Sequence, residues 1–97
     1  MMALTPEKRE ALKLARERIV TFESEAICES LLKIARGRPK LRAACKELRI
    51  YIAEQLTPCL YLGGWQRRNG LAGRSLAQQR LDRLAWIDWM LDEPQEA

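Results

Sequence analysis

The clearest helical pattern in the chain lies at residues 39–56, which read PKLRAACKELRIYIAEQL. Apolar side chains recur there at spacings of three and four, so they share one side of a helix. They are Leu41, Ala44, Cys45, Leu48, Tyr51, Ile52 and Leu56. Proline suits the first position of a helix, and Thr57-Pro58 would stop one. The pattern therefore predicts a helix that begins near Pro39 and ends near Leu56.

Two further helices are predicted upstream of this segment. The first has Thr5 as its N-cap and Pro6 at its first position. Its apolar stripe consists of Leu12, Ala15, Ile19 and Phe22. The second has Ser24 as its N-cap and ends at Gly37. Its apolar stripe consists of Ile27, Cys28, Leu31, Ile34 and Ala35.

The C-terminal part predicts a loop, a short helical turn at about 65–69, and a last helix. That helix opens with a capping box formed by Ser75 and Gln78 and runs to about Asp92. The chain is therefore predicted to be all-α, a compact bundle of four main helices plus one short helical turn with no sheet. Residues 1–97 would form one domain, since a chain of this length leaves no room for a second.

The last helix is apolar on almost every side over residues 85–91. Helical geometry places Ala77, Leu81, Leu84 and Leu91 on one face, which we expect to point inward. Trp86 would lie nearly opposite, with Trp89 and Met90 on either side of it. Two interpretations stay open, since these residues either pack in the core or form a partner or dimer surface. Asp88 falls within the inward face, where it would need an arginine or a helix N-terminus as a partner.

Composition points away from an enzyme. The chain has no histidine, which removes the commonest general base, and no glycine-rich phosphate loop. Its three cysteines, Cys28, Cys45 and Cys59, are too few and too scattered for a structural zinc site or a disulfide framework. No cofactor, metal or catalytic residue is therefore predicted. With no apolar run of membrane-spanning length and no signal-peptide pattern, we expect a cytoplasmic protein.

Positive charge is concentrated in the middle of the chain. The formal net charge is +4, but residues 26–75 contain ten basic and three acidic side chains. A basic face is predicted around the start and one side of the third helix. Its residues are Arg38, Lys40, Arg42, Lys46 and Arg49, with Arg67, Arg68 and Arg74 as further candidates. Such a face suits nucleic-acid phosphates or an acidic protein surface. A merely solvated helix face, with Glu47 and Glu54 nearby, is the favoured interpretation, and the binding face is the other.

The sequence Arg36-Gly37-Arg38-Pro39-Lys40 spells the core of an AT-hook. That motif needs an exposed, extended strand that enters the minor groove of A·T-rich DNA. Here it lies between two strongly patterned helices, where Gly37 can end one and Pro39 can open the next. An interhelical connection is the favoured interpretation, and the hook is the other.

The C-terminal half resembles small uncharacterised proteins of tailed phages and prophages. The resemblance rests on Arg49-Ile50-Tyr51-Ile52, on Gly64-Trp65-Gln66-Arg67-Arg68-Asn69-Gly70 and on the helix segment Arg80-Leu81-Asp82-Arg83-Leu84-Ala85-Trp86-Ile87-Asp88-Trp89-Met90. It covers about half of the chain and carries no assigned activity or binding residues. It implies a phage accessory protein that acts in the cytoplasm of a bacterial host.

Three functional hypotheses follow. The first is a non-enzymatic protein-binding module that binds and modulates, or inhibits, a host protein or defence complex. Its contact residues would be Trp86, Trp89, Met90, Arg38, Arg42, Lys46 and Arg49. The second is a DNA-binding regulator. Its contact residues would be Arg36, Arg38, Lys40, Arg42, Lys46, Arg49, Arg67 and Arg68. The third is a small structural phage protein that forms a homodimer.

Overall fold

Four α-helices build the part of the chain that the computed structural model describes, residues 4–55 and 75–91. They are α1 (Pro6–Thr21), α2 (Ile27–Gly37), α3 (Arg42–Gln55) and α4 (Leu76–Leu91), and a 3₁₀ turn, Pro39–Leu41, joins α2 to α3. None of the described residues lies in a β-strand, so the predicted all-α bundle is confirmed. The short turn predicted at 65–69, together with Arg67, Arg68 and Arg74, lies outside the described residues.

The first helix begins as predicted. The Thr5 hydroxyl accepts a hydrogen bond from the Lys8 N–H at 3.2 Å, and Pro6 occupies the first helical position. The buried face consists of Ala11, Leu12, Ala15 and Ile19. The prediction that Phe22 continues this stripe is wrong, because Phe22 is 48% exposed. It follows the last residue of α1 in an extended conformation, and its ring lies 4.9 Å from the Arg18 guanidinium carbon.

The second helix begins later than predicted. Its N-cap is Ala26 rather than Ser24, and the Glu29 carboxylate accepts a hydrogen bond from the Ala26 N–H at 3.4 Å. A turn precedes it, in which the Glu25 N–H donates to the Phe22 carbonyl at 3.0 Å. The helix ends at Gly37, as predicted.

The third helix keeps the predicted periodicity but opens with the 3₁₀ turn. The Leu41 N–H donates to the Arg38 carbonyl at 2.9 Å, and the α-helix proper starts at Arg42. The side chains predicted to point inward are buried at Leu41, Ala44, Cys45, Leu48 and Ile52. Tyr51 is half-buried, and Leu56 lies beyond the described part.

One hydrophobic core joins all four helices of the described chain. The central element is α1, which packs against α2, α3 and α4. The last helix runs antiparallel to α1, because Arg9 donates to the Leu91 carbonyl and Arg80 donates to the Val20 carbonyl, both at 3.3 Å. This arrangement leaves two regions on the outside of the bundle, the corner between α2 and α3 and the outward face of α4. Within the described residues, no helix has the length and apolar character needed to cross a membrane.

Candidate binding surfaces

The last helix is rotated relative to the prediction. Its buried side chains are Gln79, Arg83, Trp86, Ile87 and Met90. The face predicted to point inward is wrong, since Leu81 is 61% exposed, Ala77 is exposed, and Leu84 and Leu91 are only half-buried. The rotation buries a tryptophan and a methionine, which remove more apolar area from water than the leucines opposite.

The buried polar side chains on this helix have partners. The Arg83 guanidinium donates to the Glu23 carbonyl and to the Gln79 side-chain oxygen, each at 3.4 Å. A buried arginine is tolerated only when such acceptors replace water. Burial also lowers the pKa of Arg83 from its ordinary value, although nearby Asp82 and Glu29 act in the opposite direction. Arg83 therefore ties α4 to the turn between α1 and α2.

The tryptophans divide between core and surface. Trp86 is 7% exposed and Met90 is 2% exposed, so the prediction that these two act as surface anchors is wrong. Their side chains are needed where α4 packs on the rest of the core. Trp89, by contrast, is 54% exposed.

The exposed face of α4 carries a row of apolar side chains. They lie four residues apart and form what we call the outer stripe: Ala77, Leu81, Ala85 and Trp89. Residues four apart form one ridge along a helix surface. Leu81 and Ala85 were not predicted as contact residues, although their spacing from Trp89 was visible in the sequence. The helix is thus apolar on two opposite faces, and only one of them is buried.

Asp88 pairs with an arginine, as predicted, but the pair lies on the surface and not on a buried face of α4. Its carboxylate accepts two hydrogen bonds from Arg16, at 2.6 and 3.1 Å. The pair is not buried, because the side chains of Arg16 and Asp88 are 41% and 53% exposed. The hydrogen bond from Arg16 lowers the pKa of Asp88. An exposed pair of this kind contributes up to about 1 kcal/mol, so it helps to orient α4 without dominating its stability.

A second surface surrounds the junction of α2 and α3. Five exposed cations lie within eleven residues there, and we call this set the basic corner: Arg36, Arg38, Lys40, Arg42 and Lys46. The acidic residues that flank these cations in the sequence are engaged elsewhere. Glu47 pairs with Lys8 at 2.8 Å, and Glu29 lies 3.7 Å from Lys33. None of the five cations forms an ion pair with another described residue.

The hook-like sequence is an interhelical connection, the favoured interpretation. Arg36 and Gly37 are the last residues of α2, and Pro39 and Lys40 belong to the 3₁₀ turn. All five residues from Arg36 to Lys40 are exposed, but they do not form the extended strand that an AT-hook needs.

Arg49 differs from the other predicted cations. It is half-buried, and its Nε atom is buried without a hydrogen-bond acceptor among the described residues. Its charge acts on two thiols, because Arg49 lowers the pKa of both Cys28 and Cys45. Burial outweighs this effect and raises the pKa of Cys28 to about 11. Arg49 is therefore set apart from the exposed cations of the basic corner.

Open grooves border the basic corner. One, of about 360 Å³, lies between α1 and α2 and includes Arg38 in its wall, together with Glu17 and Lys33. Another, of about 310 Å³, lies between the start of α1 and the start of α3 and includes Lys40. Within the described residues, no three cysteine or acidic side chains are grouped to hold a metal ion.

Comparisons with models of protein families, with curated proteins and with solved structures found no match to this chain. The resemblance to small phage proteins therefore stays a prediction. The outer stripe and the basic corner are the two surfaces on which a functional proposal for the described part of the chain rests.

Proposed function

We propose that this protein is a non-enzymatic binding module that recognises another protein through the outer stripe of α4. The observation that carries the proposal is the exposure of Leu81 and Trp89, at 61% and 54%, on the face of α4 opposite its packed face. The core already takes Trp86, Ile87 and Met90 from the same helix. The outer stripe is therefore surplus to the packing of α4 on α1.

The spacing of the stripe suits a helical partner. A row of side chains four residues apart fits between the ridges of a second helix, and the small side chains of Ala77 and Ala85 allow close approach between the larger ones. Leu81 and Trp89 would supply most of the buried apolar area, and tryptophan is among the residues that most often dominate binding energy. The partner we propose is a protein that presents an apolar helix face or groove.

The phage resemblance supports a more specific form of the proposal. The partner would be a host protein or defence complex in the bacterial cytoplasm, and binding would modulate its activity. The motifs behind this form include Leu81 and Ala85, so the stripe and the resemblance share residues.

A matched pair of leucine substitutions tests the role of the stripe. The full chain would be immobilised at micromolar concentration and exposed to host lysate, and the captured proteins would be identified by mass spectrometry. We expect Leu81→Ser and Trp89→Ser to lose a protein that the unaltered chain captures. Leu32→Ser is the control, because Leu32 is also exposed, at 40%, but lies on α2.

Two results would contradict the proposal. One is capture that is equal for Leu81→Ser and Leu32→Ser, which would remove the stripe from the interface. The other is a dimer, detected by light scattering, that Leu81→Ser abolishes and Leu32→Ser does not. The stripe would then bind a second copy of the chain. Leu81 and Leu32 are both exposed, so their substitution leaves the described core intact.

A further inference from the structure

We infer that the basic corner is a second binding surface, which takes the phosphate backbone of duplex DNA. It lies on the junction of α2 and α3, whereas the outer stripe lies on α4, so the inference does not depend on the proposed protein partner. Its residues are Arg36, Arg38, Lys40, Arg42 and Lys46.

The charge of the basic corner is uncompensated within the described part of the chain. Between Glu29 and Glu47 the chain has six basic residues and no acidic one. Lys33 is neutralised within the fold, because it lies 3.1 Å from the Glu25 carboxylate. The other five are exposed and have no ion-pair partner among the described residues. Like charges held this close repel one another, and the phosphates of a duplex would relieve that repulsion.

The side chains between these cations are small or buried. The exposed residues there are Gly37, Pro39 and Ala43, while Leu41 and Cys45 are buried. A protein interface normally has an apolar or aromatic centre, and this surface has none. It also lacks the exposed aromatic rings on which single-stranded bases stack. A surface of cations and small side chains is suited to a backbone of phosphates.

The start of α3 adds to the positive potential of the basic corner. The first turn of α3 contains no acidic side chain, and Arg42 stands at its first position. The N-terminal end of a helix carries a partial positive charge, so a cation there adds to the dipole instead of offsetting it. Lys46 follows one turn later on the same side of the helix. The positive potential at the corner therefore comes from both side chains and backbone.

This surface predicts binding that is independent of base sequence. In the connection at Arg36–Lys40 only Arg38 lies outside the helical turns, so the segment does not supply the extended strand of a minor-groove hook. Phosphate contacts fix orientation but carry no direct sequence information. Each contact made by a lysine or arginine releases counterions, so affinity falls steeply as salt rises.

Fluorescence anisotropy with a labelled mixed-sequence duplex of about 20 base pairs tests the inference. We expect the full chain to bind with a dissociation constant in the range of about 1–100 µM near physiological salt. If all five cations contact phosphates, the affinity should fall about 500-fold between 50 and 200 mM salt. The triple variant Arg38→Gln/Arg42→Gln/Lys46→Gln should lose more than half of that salt dependence.

A matched pair of lysine substitutions separates the corner from net charge. Lys46→Gln and Lys13→Gln each remove one exposed positive charge, but Lys13 lies on α1. Lys46→Gln should reduce the slope of log affinity against log salt by about one, and Lys13→Gln should leave it unchanged. Equal effects of the two variants, or no binding at 50 mM salt and 100 µM protein, would overturn the inference.

Competitors identify the class of polyanion. Unlabelled duplex should displace the probe more effectively than polyglutamate or single-stranded DNA at equal charge. Displacement by polyglutamate as strong as by duplex would overturn the assignment to DNA and favour an acidic protein surface. Stronger displacement by the single strand would also contradict it, because the corner offers no rings for stacking.

Discussion

Glu25 is the residue on which the turn between α1 and α2 depends. It is 5% exposed, and its carboxylate accepts hydrogen bonds from Arg18 at 2.7 and 3.0 Å, from Ser30 at 2.6 Å and from Lys33 at 3.1 Å. Burial alone would raise the pKa of Glu25, but these donors outweigh it and lower the pKa to about 2. The partners of Glu25 come from two different helices, so its role is not visible in the local pattern that favoured Ser24 as the N-cap.

The low pKa of Glu25 predicts a loss of stability in acid. In the unfolded chain the carboxyl has an ordinary pKa near 4.5, so the unfolded state takes up a proton first as the pH falls. The contribution of Glu25 is therefore complete above about pH 5 and is lost as the pH approaches 2. The shift corresponds to about 3 kcal/mol. Urea denaturation at pH 7 and pH 3 should show the unaltered chain losing stability over this range.

Glu25→Gln isolates this contribution from the other carboxylates. The amide keeps the size of the side chain but removes the charge that faces Arg18 and Lys33, so we expect a loss of about 2–4 kcal/mol at pH 7. The variant should also show a weaker dependence on pH between 5 and 2. Glu23→Gln is the control, since Glu23 lies in the same turn and shows no side-chain hydrogen bond within the described residues. Equal losses in the two variants would refute the assignment.

At the scale of the helix, the sequence predicted α1 and α3 well and α4 poorly. The inward faces of α1 and α3 follow from polar and apolar residues that alternate with helical period, as Leu12 and Leu48 illustrate. In α4 the apolar residues surround the helix, so periodicity alone gives no direction. The deciding contacts are nonlocal, because Arg83 turns inward to reach the Glu23 carbonyl, sixty residues earlier.

Of the two candidate surfaces, the sequence alone predicted only one. The basic corner was predictable, because its charges lie within eleven residues of the sequence and exposure is the usual state of arginine and lysine. The outer stripe was not, because recognising it required the orientation of α4. Once Trp86 is known to be buried, Leu81 and Ala85 follow from their spacing to Trp89.

Two tryptophans of α4 test its orientation. Trp86→Ala should cost about 3–5 kcal/mol of unfolding free energy, since it empties a buried site. Trp89→Ala should change stability by less than about 1 kcal/mol, because that ring is half exposed. Chemical denaturation measures both. Trp86→Phe provides a measurable variant if Trp86→Ala does not fold. A larger loss for Trp89→Ala than for Trp86→Ala would contradict the described orientation of α4.

The whole described molecule depends on one core, and α1 is the element common to its contacts. The core contains residues from α1, α2, α3 and α4, including Leu12, Leu31, Leu48 and Ile87. The outer stripe and the basic corner lie outside it, so either surface can be altered without removing a core side chain. Proteins of this size normally unfold as one cooperative unit, and the described packing gives no helix a core of its own.

The thiols of Cys28 and Cys45 report on that cooperativity. Cys45 is fully buried and Cys28 is half-buried, and burial raises the pKa of both, that of Cys28 to about 11. The thiolate is the reactive form, so at pH 8 both thiols should be protected twice, by low ionisation and by restricted access.

In a Cys59→Ser chain, which leaves only these two, we expect reaction with a disulfide reagent to be at least about 100-fold slower in native buffer than in 8 M urea, since the pKa difference alone supplies roughly that factor for Cys28. Modification should accelerate for Cys28 and Cys45 together as urea approaches the unfolding midpoint, because opening of the shared core exposes both. Rapid native labelling of Cys45, or labelling of the two thiols at clearly different urea concentrations, would show that α2 and α3 open separately and that the described core is not one unit.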